Sequence, residues 1–316
     1  VKIYDIAIIG AGPAGIAAAV EAYAMGVASI LLIEKANNHS ATIRNFYKDG
    51  KRVDKEWQGQ KLDSNGTITF FDGTKESTLD FFDELLSSHK IESMFSEEAE
   101  KIEKNGEIFD ITTTASNYHA KSVILAIGRM GKPNKPTCII TPEAKKRVHY
   151  NLDACSQNES VLVVGGGNSA AEYAVDLAEK NDSALSYRKP NFTRLNAINL
   201  LNLERLSSRG KMRMLLGTNI TSIDLKDNKL KISFDEIEPE VFDRVVFAIG
   251  GSTPVDFLKK CGVELKDGEP ILSEELETQT KGMFISGDIA FKNGGSIVIA
   301  LDMSYKIVKK IKSELL

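Results

Sequence analysis

Twice in this chain an apolar strand runs into a glycine-spaced turn and then into a small-residue helix, and that repeated unit limits the fold more than any other feature. The first copy is YDIAIIGAGPAGIAAAVEAYAMGVASILLIEK. Ile6 to Ile9 read as a strand buried on both faces. Gly10, Gly12 and Gly15 give G-x-G-x-x-G, and an alanine-rich helix, opened by Pro13 and Ala14, leads to a second apolar strand, Ser29 to Ile33. In such a turn Gly10 allows the tight reversal, Gly12 lets the backbone approach a pyrophosphate, and Gly15 lets the helix pack closely on the strand. The unpaired N–H groups at the helix start attract negative phosphate. Glu34 ends the second strand, 19 residues after Gly15, with Lys35 behind it. A carboxylate there accepts hydrogen bonds from both hydroxyls of an adenosine ribose and repels a 2′-phosphate, so FAD or NAD fits this turn and NADP does not.

The second copy is ESVLVVGGGNSAAEYAVDLAEKNDSALSYRKPNFTR. Val161 to Val164 form another buried strand, and Gly165, Gly167 and Ala170 give G-x-G-x-x-A. Asn168 and Ser169 stand at the helix start, where small polar side chains can cap free N–H groups. The next strand, Ala184 to Tyr187, ends in Arg188 and Lys189 instead of an acid, with Arg194 a little further on. Cations there suit a 2′-phosphate, which arginine grips with a fork of donors. The same charges also fit a solvated loop. Their place straight after the strand favours NADPH over NADH, and two turns of opposite sign point to two different nucleotides.

Two further apolar strands end in glycine turns: VILAIGRMGKPNKP, Val123 to Pro136, which contains Gly128, and VVFAIGGSTP, Val245 to Pro254. They flank the second unit, and Pro133, Pro136 and Pro254 stiffen the places where the chain leaves one domain for the other. The expected fold is α/β, with two nested Rossmann-like three-layer nucleotide-binding domains. Residues 1–120 and 246–316 form the FAD-binding domain and 121–245 the NADPH-binding domain. Within the first, IESMFSEEAEKIEKNGEIFDITTT carries an Asn105-Gly106 turn between alternating segments and reads as a hairpin of a small accessory sheet. LKDNKLKISFDEIEPEVFDRVVF repeats that character. Near the carboxyl end, Met283 to Ser286 read as a strand followed by Gly287 and Asp288. Gly294 and Gly295 then precede Ser296, Ile297 and a final helix. A helix start aimed at reduced flavin stabilises the negative charge near its N1 and O2 atoms. Asp288 either accepts a hydrogen bond from a ribityl hydroxyl or caps the local turn.

The net charge of -4, with both signs mixed along the chain, gives no basic stripe for nucleic acid. Lys145, Lys146 and Arg147 read as a solvated face. No apolar run reaches the roughly 18 residues of a membrane span, and the amino terminus lacks a signal-peptide pattern. Three widely spaced cysteines, Cys138, Cys155 and Cys261, argue against a disulfide scaffold and for a reducing cytoplasm. No metal site is expected.

Together these stretches resemble the low-molecular-weight thioredoxin reductase-like flavoproteins over nearly the whole chain: GAGPAG with Glu34, GGGNSAAE with Arg188-Lys189, both glycine-ended crossovers, and GDIAFKNGGS. The resemblance implies a homodimer with one FAD per subunit and an NADPH domain that rotates. It departs at RVHYNLDACSQNES, where thioredoxin reductases carry C-x-x-C and this chain has Cys155 alone, unable to relay two electrons as a dithiol. Two similar groups lack that pair. One is the ferredoxin/flavodoxin–NADP reductases, including the flavodoxin quinone reductases, whose flavin-side segment HSATIRNFYKDGKRVDKEWQG resembles. The other is the bacillithiol disulfide reductases, which carry a cysteine in the first glycine turn where this chain has Ala14.

The resemblance is closest to the flavodoxin reductase branch. It implies electron flow from NADPH through FAD to flavodoxin or ferredoxin, or to a small quinone. The alternatives are a low-molecular-weight disulfide reductase and a non-catalytic flavin sensor. Flavin stacking falls to Tyr47 or Phe46, with His149 or Tyr150 from the other domain, although ordinary packing explains all four equally well. Lys48, Lys51, Arg52 and Lys55 form a basic run that can dock an acidic carrier or simply keep a loop soluble.

Overall fold

The computed structural model describes residues 2–57, 60–61, 63–129, 133–251, 254–290 and 295–314. Along the chain come β1 (Ile3–Ile9), α1 (Pro13–Ala24), β2 (Ile30–Ile33), α2 (Ala41–Phe46), α3 (Lys75–Ser88), β3 (Glu92–Met94), β4 (Ala99–Asn105), β5 (Ile108–Thr113) and β6 (Asn117–Leu125). A second stretch holds β7 (Ile139–Ile140), β8 (Val148–His149), β9 (Ser160–Val164), α4 (Asn168–Leu177), β10 (Asp182–Tyr187), α5 (Ala197–Ser208), β11 (Met212–Leu216), β12 (Ile220–Lys226), β13 (Lys229–Phe234), β14 (Glu240–Phe242) and β15 (Arg244–Phe247). The chain closes with α6 (Val255–Lys260), β16 (Met283–Ile285) and α7 (Ile297–Glu314).

These elements form two compact units, Val1–Gly131 with Ser252–Leu316, and Lys132–Gly251. The changeovers follow β6 and β15 instead of falling at 120 and 245. β6 continues the first sheet to Leu125, and β15 stays in the second, where it pairs with β9.

In the first unit β3, β2, β1 and β6 lie in parallel, with β16 also parallel against the end of β6. Strands buried on both faces need apolar residues at every position, and β1 shows how they are used. Ile6 and Ile8 pack with Ala14, Ala18, Leu32, Ile307 and Ile311 beneath α1 and α7. Ala7 and Ile9 face the opposite way, towards Leu31, Phe109, Leu125, Leu258 and Met283. Truncating one of these fully buried side chains, for instance Ile8→Ala, costs about 2–5 kcal/mol. Alanines on α1 let its backbone come close to the sheet. Gly26, at φ 72°, ends the helix in a Schellman motif, with Gly26 N–H bonded to Tyr23 C=O and Val27 N–H to Ala22 C=O.

The hairpin around Asn105-Gly106 forms as the sequence predicts, but it is not a separate accessory sheet. β6 is long enough to pair antiparallel with β5 through residues 117–120 and in parallel with β16 through 123–125, so the hairpin is continuous with the main sheet.

The second unit is three layers on its own. Its five-stranded parallel sheet runs β8-β15-β9-β10-β11. Val161 and Val163 face α4 and α5 on one side, and Leu162 faces Ile223, Ile232, Phe234 and Phe242 on the other. Those last residues belong to the four-stranded sheet β7-β12-β13-β14. The β12–β13 hairpin turns on Asp227 and Asn228, at φ 50° and 60°, the left-handed pair that a two-residue hairpin turn requires. Among the described residues no helix is long and apolar enough to cross a membrane.

Candidate functional site

Both glycine turns sit at the carboxyl ends of parallel strands, where α/β sheets bind ligands. In the first, Gly10 adopts φ 103°, and a Cβ there would lie 2.5 Å from Ala126 O. A Cβ on Gly15 would lie 1.8 Å from Gly10 O. Those two glycines are dictated by packing. Gly12 differs, because nothing lies within 4 Å of its Cβ position. Its open backbone leads into α1, whose Gly12 N-cap supplies no side-chain hydrogen bond.

Two other helices are closed by their own side chains. α3 has a capping box from Thr74 and Ser77, and Asn196 accepts the Asn199 N–H at the start of α5. The uncapped start of α1 therefore presents donors and a positive dipole end to an anion. Glu34 is buried, and its two oxygens accept the Ala11 N–H at 2.7 Å and the Ala36 N–H at 2.8 Å. Each oxygen keeps acceptor capacity for a ribose hydroxyl. These groups fit the adenosine and pyrophosphate of FAD; Lys35 beside them is exposed.

Around this turn lie residues that sequence reasoning missed. Ser40 adopts φ 53°, and its N–H donates to Ala11 O at 2.7 Å, bracing the turn from outside. His39 is buried beside it, with Nδ1 3.0 Å from Ser40 Oγ and Nε2 2.7 Å from Arg44 and 2.9 Å from Asp83. Burial pushes its imidazole below the ordinary histidine range, while Asp83 pulls the other way. Ser304 Oγ donates to Ala14 O at 2.8 Å and meets Ser286 Oγ at 2.8 Å, so a buried hydroxyl pair joins α7 to α1. Ala14 is buried, and its methyl lies 2.9 Å from where a Cβ on Gly287 would stand.

At the carboxyl end, Asp288 Oδ1 accepts the Gly295 N–H at 3.0 Å, so it does close the local turn. It remains exposed on one side, but the crowding around it desolvates the carboxyl and raises it above the usual carboxylate range, against the pull of Arg129. Arg129, one residue after Gly128, forms a two-pronged ion pair with Glu269. Ser296 Oγ accepts the Ile299 N–H at 3.3 Å and so caps α7, which starts at Ile297. Gly294 lies outside the described residues.

The second turn has the same outline. Gly165 adopts φ 154°, Gly167 has nothing within 4 Å of its Cβ position, and α4 starts without a side-chain cap. Asn168 does not cap α4 as expected. Its Oδ1 accepts the Asn196 N–H at 3.0 Å and Asn199 Nδ2 at 3.1 Å, tying the turn to the start of α5. Ala170 fills the third position and is buried. Arg188, Lys189 and Arg194 are exposed. The register shows that the carboxylate's place is taken one residue earlier than the sequence suggests: Val164 pairs with Ser186 as Ile9 pairs with Ile33, so Tyr187 is the counterpart of Glu34.

The expected flavin neighbours have partners inside their own units. Tyr47 lies under Lys51 Nζ, 4.2 Å from the ring centre. His149 Nε2 is 3.3 Å from Arg244, which is paired with Glu159, and burial with that cation lowers its pKa. Tyr150 packs near Phe247. In the basic run, Arg52 pairs with Asp54 and Lys55 with Asp63, which offsets part of its charge.

The three cysteines are free and belong to three different core clusters. Burial raises the thiol of Cys155 to about 11 and that of Cys261 to about 12, and it raises Cys138 as well. The thiolate is the nucleophile in disulfide exchange, so all three are chemically quiet at neutral pH.

Residues 7–287 match the sequence pattern of a family described as pyridine nucleotide-disulphide oxidoreductase. The ferredoxin–NADP reductase of Lactobacillus delbrueckii subsp. bulgaricus is 27% identical over 290 residues, 89% of this chain and 86% of its own. The structure of a bacillithiol disulfide reductase from Bacillus cereus superposes with a TM-score of 0.85 at 25% identity, covering 99% of both chains. A thioredoxin reductase from Lactococcus lactis superposes with a TM-score of 0.80 at 21% identity, covering 98% of both. The fold is thioredoxin reductase-like, with two Rossmann-like domains that bind FAD and NAD(P). The likenesses run to bacillithiol reductases and to ferredoxin reductases alike, so the expected closeness to the ferredoxin/flavodoxin branch is not singled out.

Proposed function

Because the chain belongs to the pyridine nucleotide-disulphide oxidoreductase family and is an FAD- and NADPH-dependent oxidoreductase, we propose that it discharges its flavin directly to an external acceptor, with no protein thiol in between. The carrying observation is the state of the cysteines: three separate thiols, Cys261 buried and Cys138 and Cys155 half-buried, each raised by burial, and Ala14 in the first turn. Bound FAD supplies the hydride-accepting and electron-releasing chemistry. On this reading the chain's own residues bind and orient. Glu34 holds the adenosine ribose, the uncapped start of α1 takes the pyrophosphate, and Asp288 faces the ribityl chain. Arg188, Lys189 and Arg194 take the 2′-phosphate of NADPH beside the start of α4.

For the acceptor, a low-molecular-weight disulfide has the broader support, from the family and from the whole-length likeness to the B. cereus bacillithiol disulfide reductase. The balanced reaction is NADPH, a proton and one disulfide giving NADP+ and two thiols. The quiet cysteines set its condition, which is that the disulfide meets the flavin itself. A one-electron carrier, flavodoxin or ferredoxin, or a small quinone is the second reading. It is favoured by those same thiols and by the ferredoxin–NADP reductase relative. Either reading includes a homodimer in a reducing compartment.

The test is anaerobic stopped-flow. FAD-loaded protein is reduced with NADPH and mixed with oxidised bacillithiol, oxidised flavodoxin or a small quinone. Rapid reoxidation by the disulfide supports the first reading, and reoxidation by the carrier or quinone alone supports the second. A flavin that NADPH does not reduce at all would sink both.

A further inference from the structure

The strand register brings two pairs of residues into equivalent places. Gly10 N–H donates to Ile33 O at 2.7 Å, and Gly165 N–H donates to Ser186 O at 3.0 Å. The residue after each of these acceptors, Ile33 and Ser186, therefore occupies one position, Glu34 in the first unit and Tyr187 in the second. The second residue of each turn does likewise, as Ala11 and Gly166. In the first pair the carboxylate reaches back to the Ala11 N–H. In the second, the Tyr187 ring lies against the turn, and a Cβ on Gly166 would stand 2.0, 2.2 and 2.4 Å from three of its atoms. Tyr187 is buried, and its ring stacks on Phe192 at 5.4 Å and 1°. Its carbonyl accepts the Gly217 N–H at 2.8 Å, and the carbonyl of Lys189 accepts the same N–H at 3.1 Å.

We propose that Tyr187, seated on Gly166 and stacked on Phe192, is a specificity-determining residue for NADPH over NADH. This rests on reading the second turn as the NADPH site. The ring acts in two ways. It puts a neutral group where a carboxylate would accept both ribose hydroxyls and repel a 2′-phosphate. Through Phe192 it also fixes the path of the 188–194 segment, so that Arg188, Lys189 and Arg194 emerge at a set place beside the turn. Tyr187 is thus a positioning residue, and the cations it carries touch the phosphate.

The test is binding without turnover. Isothermal titration of the FAD-loaded protein with 2′,5′-ADP and with 5′-AMP gives a ratio of affinities that a general loss of structure does not move selectively. Gly166→Ala with Tyr187→Glu rebuilds the first-turn pair in the second turn. It is expected to lower the ratio roughly 100-fold, the size of one or two charge-assisted hydrogen bonds to the 2′-phosphate, while 5′-AMP binding persists. Phe192→Ala is expected to lower it roughly tenfold. Tyr187→Phe, which keeps the ring, is expected to keep the ratio.

An unchanged ratio in both the double variant and Phe192→Ala overturns the proposal. If the double variant does not fold, Phe192→Ala decides it alone. Arg188→Ala with Lys189→Ala separates the two levels. If that variant loses the ratio while the ring variants keep it, only the role of Tyr187 falls. If it also keeps the ratio, the NADPH reading of this turn falls and the proposal falls with it.

Discussion

The two glycine turns share an outline, and three of the matched positions at which they differ carry the contrast. The first has Ala11, Gly15 and Glu34; the second has Gly166, Ala170 and Tyr187. At the first turn the helix comes so close that a Cβ on Gly15 would collide with Gly10 O at 1.8 Å, and the strand-end residue is a buried acceptor. The second turn accommodates the Ala170 methyl and gives the space above its middle residue to an aromatic ring. The spaced glycines build the turn in both cases. On the proposed reading, the residue at the Glu34 and Tyr187 position chooses the nucleotide.

The largest expected effect comes from Gly15→Ala. The clash is with backbone, so overpacking is expected to cost about 3 kcal/mol and to lower both the Tm and the FAD content of the purified protein. Gly12→Ala meets nothing within 4 Å, so it is expected to keep the apoprotein Tm and lose FAD affinity. Equal losses of apoprotein Tm in the two variants would break the distinction between a glycine needed for packing and one that faces a ligand.

Next comes Glu34→Gln. The amide keeps one acceptor oxygen for two N–H groups and cannot serve a ribose as well, at about 1–3 kcal/mol for the group left unsatisfied. FAD affinity, measured by flavin fluorescence on reconstitution, is expected to fall roughly 10- to 100-fold. Tyr187→Phe, its positional counterpart, is expected to leave FAD content untouched.

The smallest effect is a pH dependence confined to the first turn, because no histidine follows Tyr187. His39 has its folded pKa lowered from 6.5, so the unfolded chain takes up a proton first as pH falls. The stabilisation from its neutral form is fully present above about 6.5 and is lost as pH drops through that value towards the lower folded one. His39→Gln is expected to flatten the Tm profile between pH 7.5 and 5.5. Identical slopes would remove His39 from the support of the turn.

Much of this was legible because apolar strands, spaced glycines and Glu34 each carry their own signal. The positions that escaped depend on register and on distant packing. A strand end read from sequence is uncertain by a residue, and that residue separates Tyr187 from Arg188. Nothing local announces that Asn168 will bind Asn196 instead of capping its own helix, or that Ser40 will reach Ala11. The joining of the hairpin to the main sheet was hidden for a similar reason, since only pairing shows that β6 serves two partners along one edge. Arg129 with Glu269 lies 140 positions apart in sequence and has no motif.

Direct discharge of the flavin is tested most plainly by removing every thiol. Cys138→Ser, Cys155→Ala and Cys261→Ala are combined, loaded with FAD, reduced anaerobically with NADPH and mixed with whichever acceptor reoxidises the unaltered protein. The expected rate is within about twofold of the unaltered protein, because thiols held at about 11 and about 12 carry little thiolate to lose. A folded, NADPH-reducible variant that no longer passes electrons to that acceptor would contradict the account and return a cysteine to the electron path.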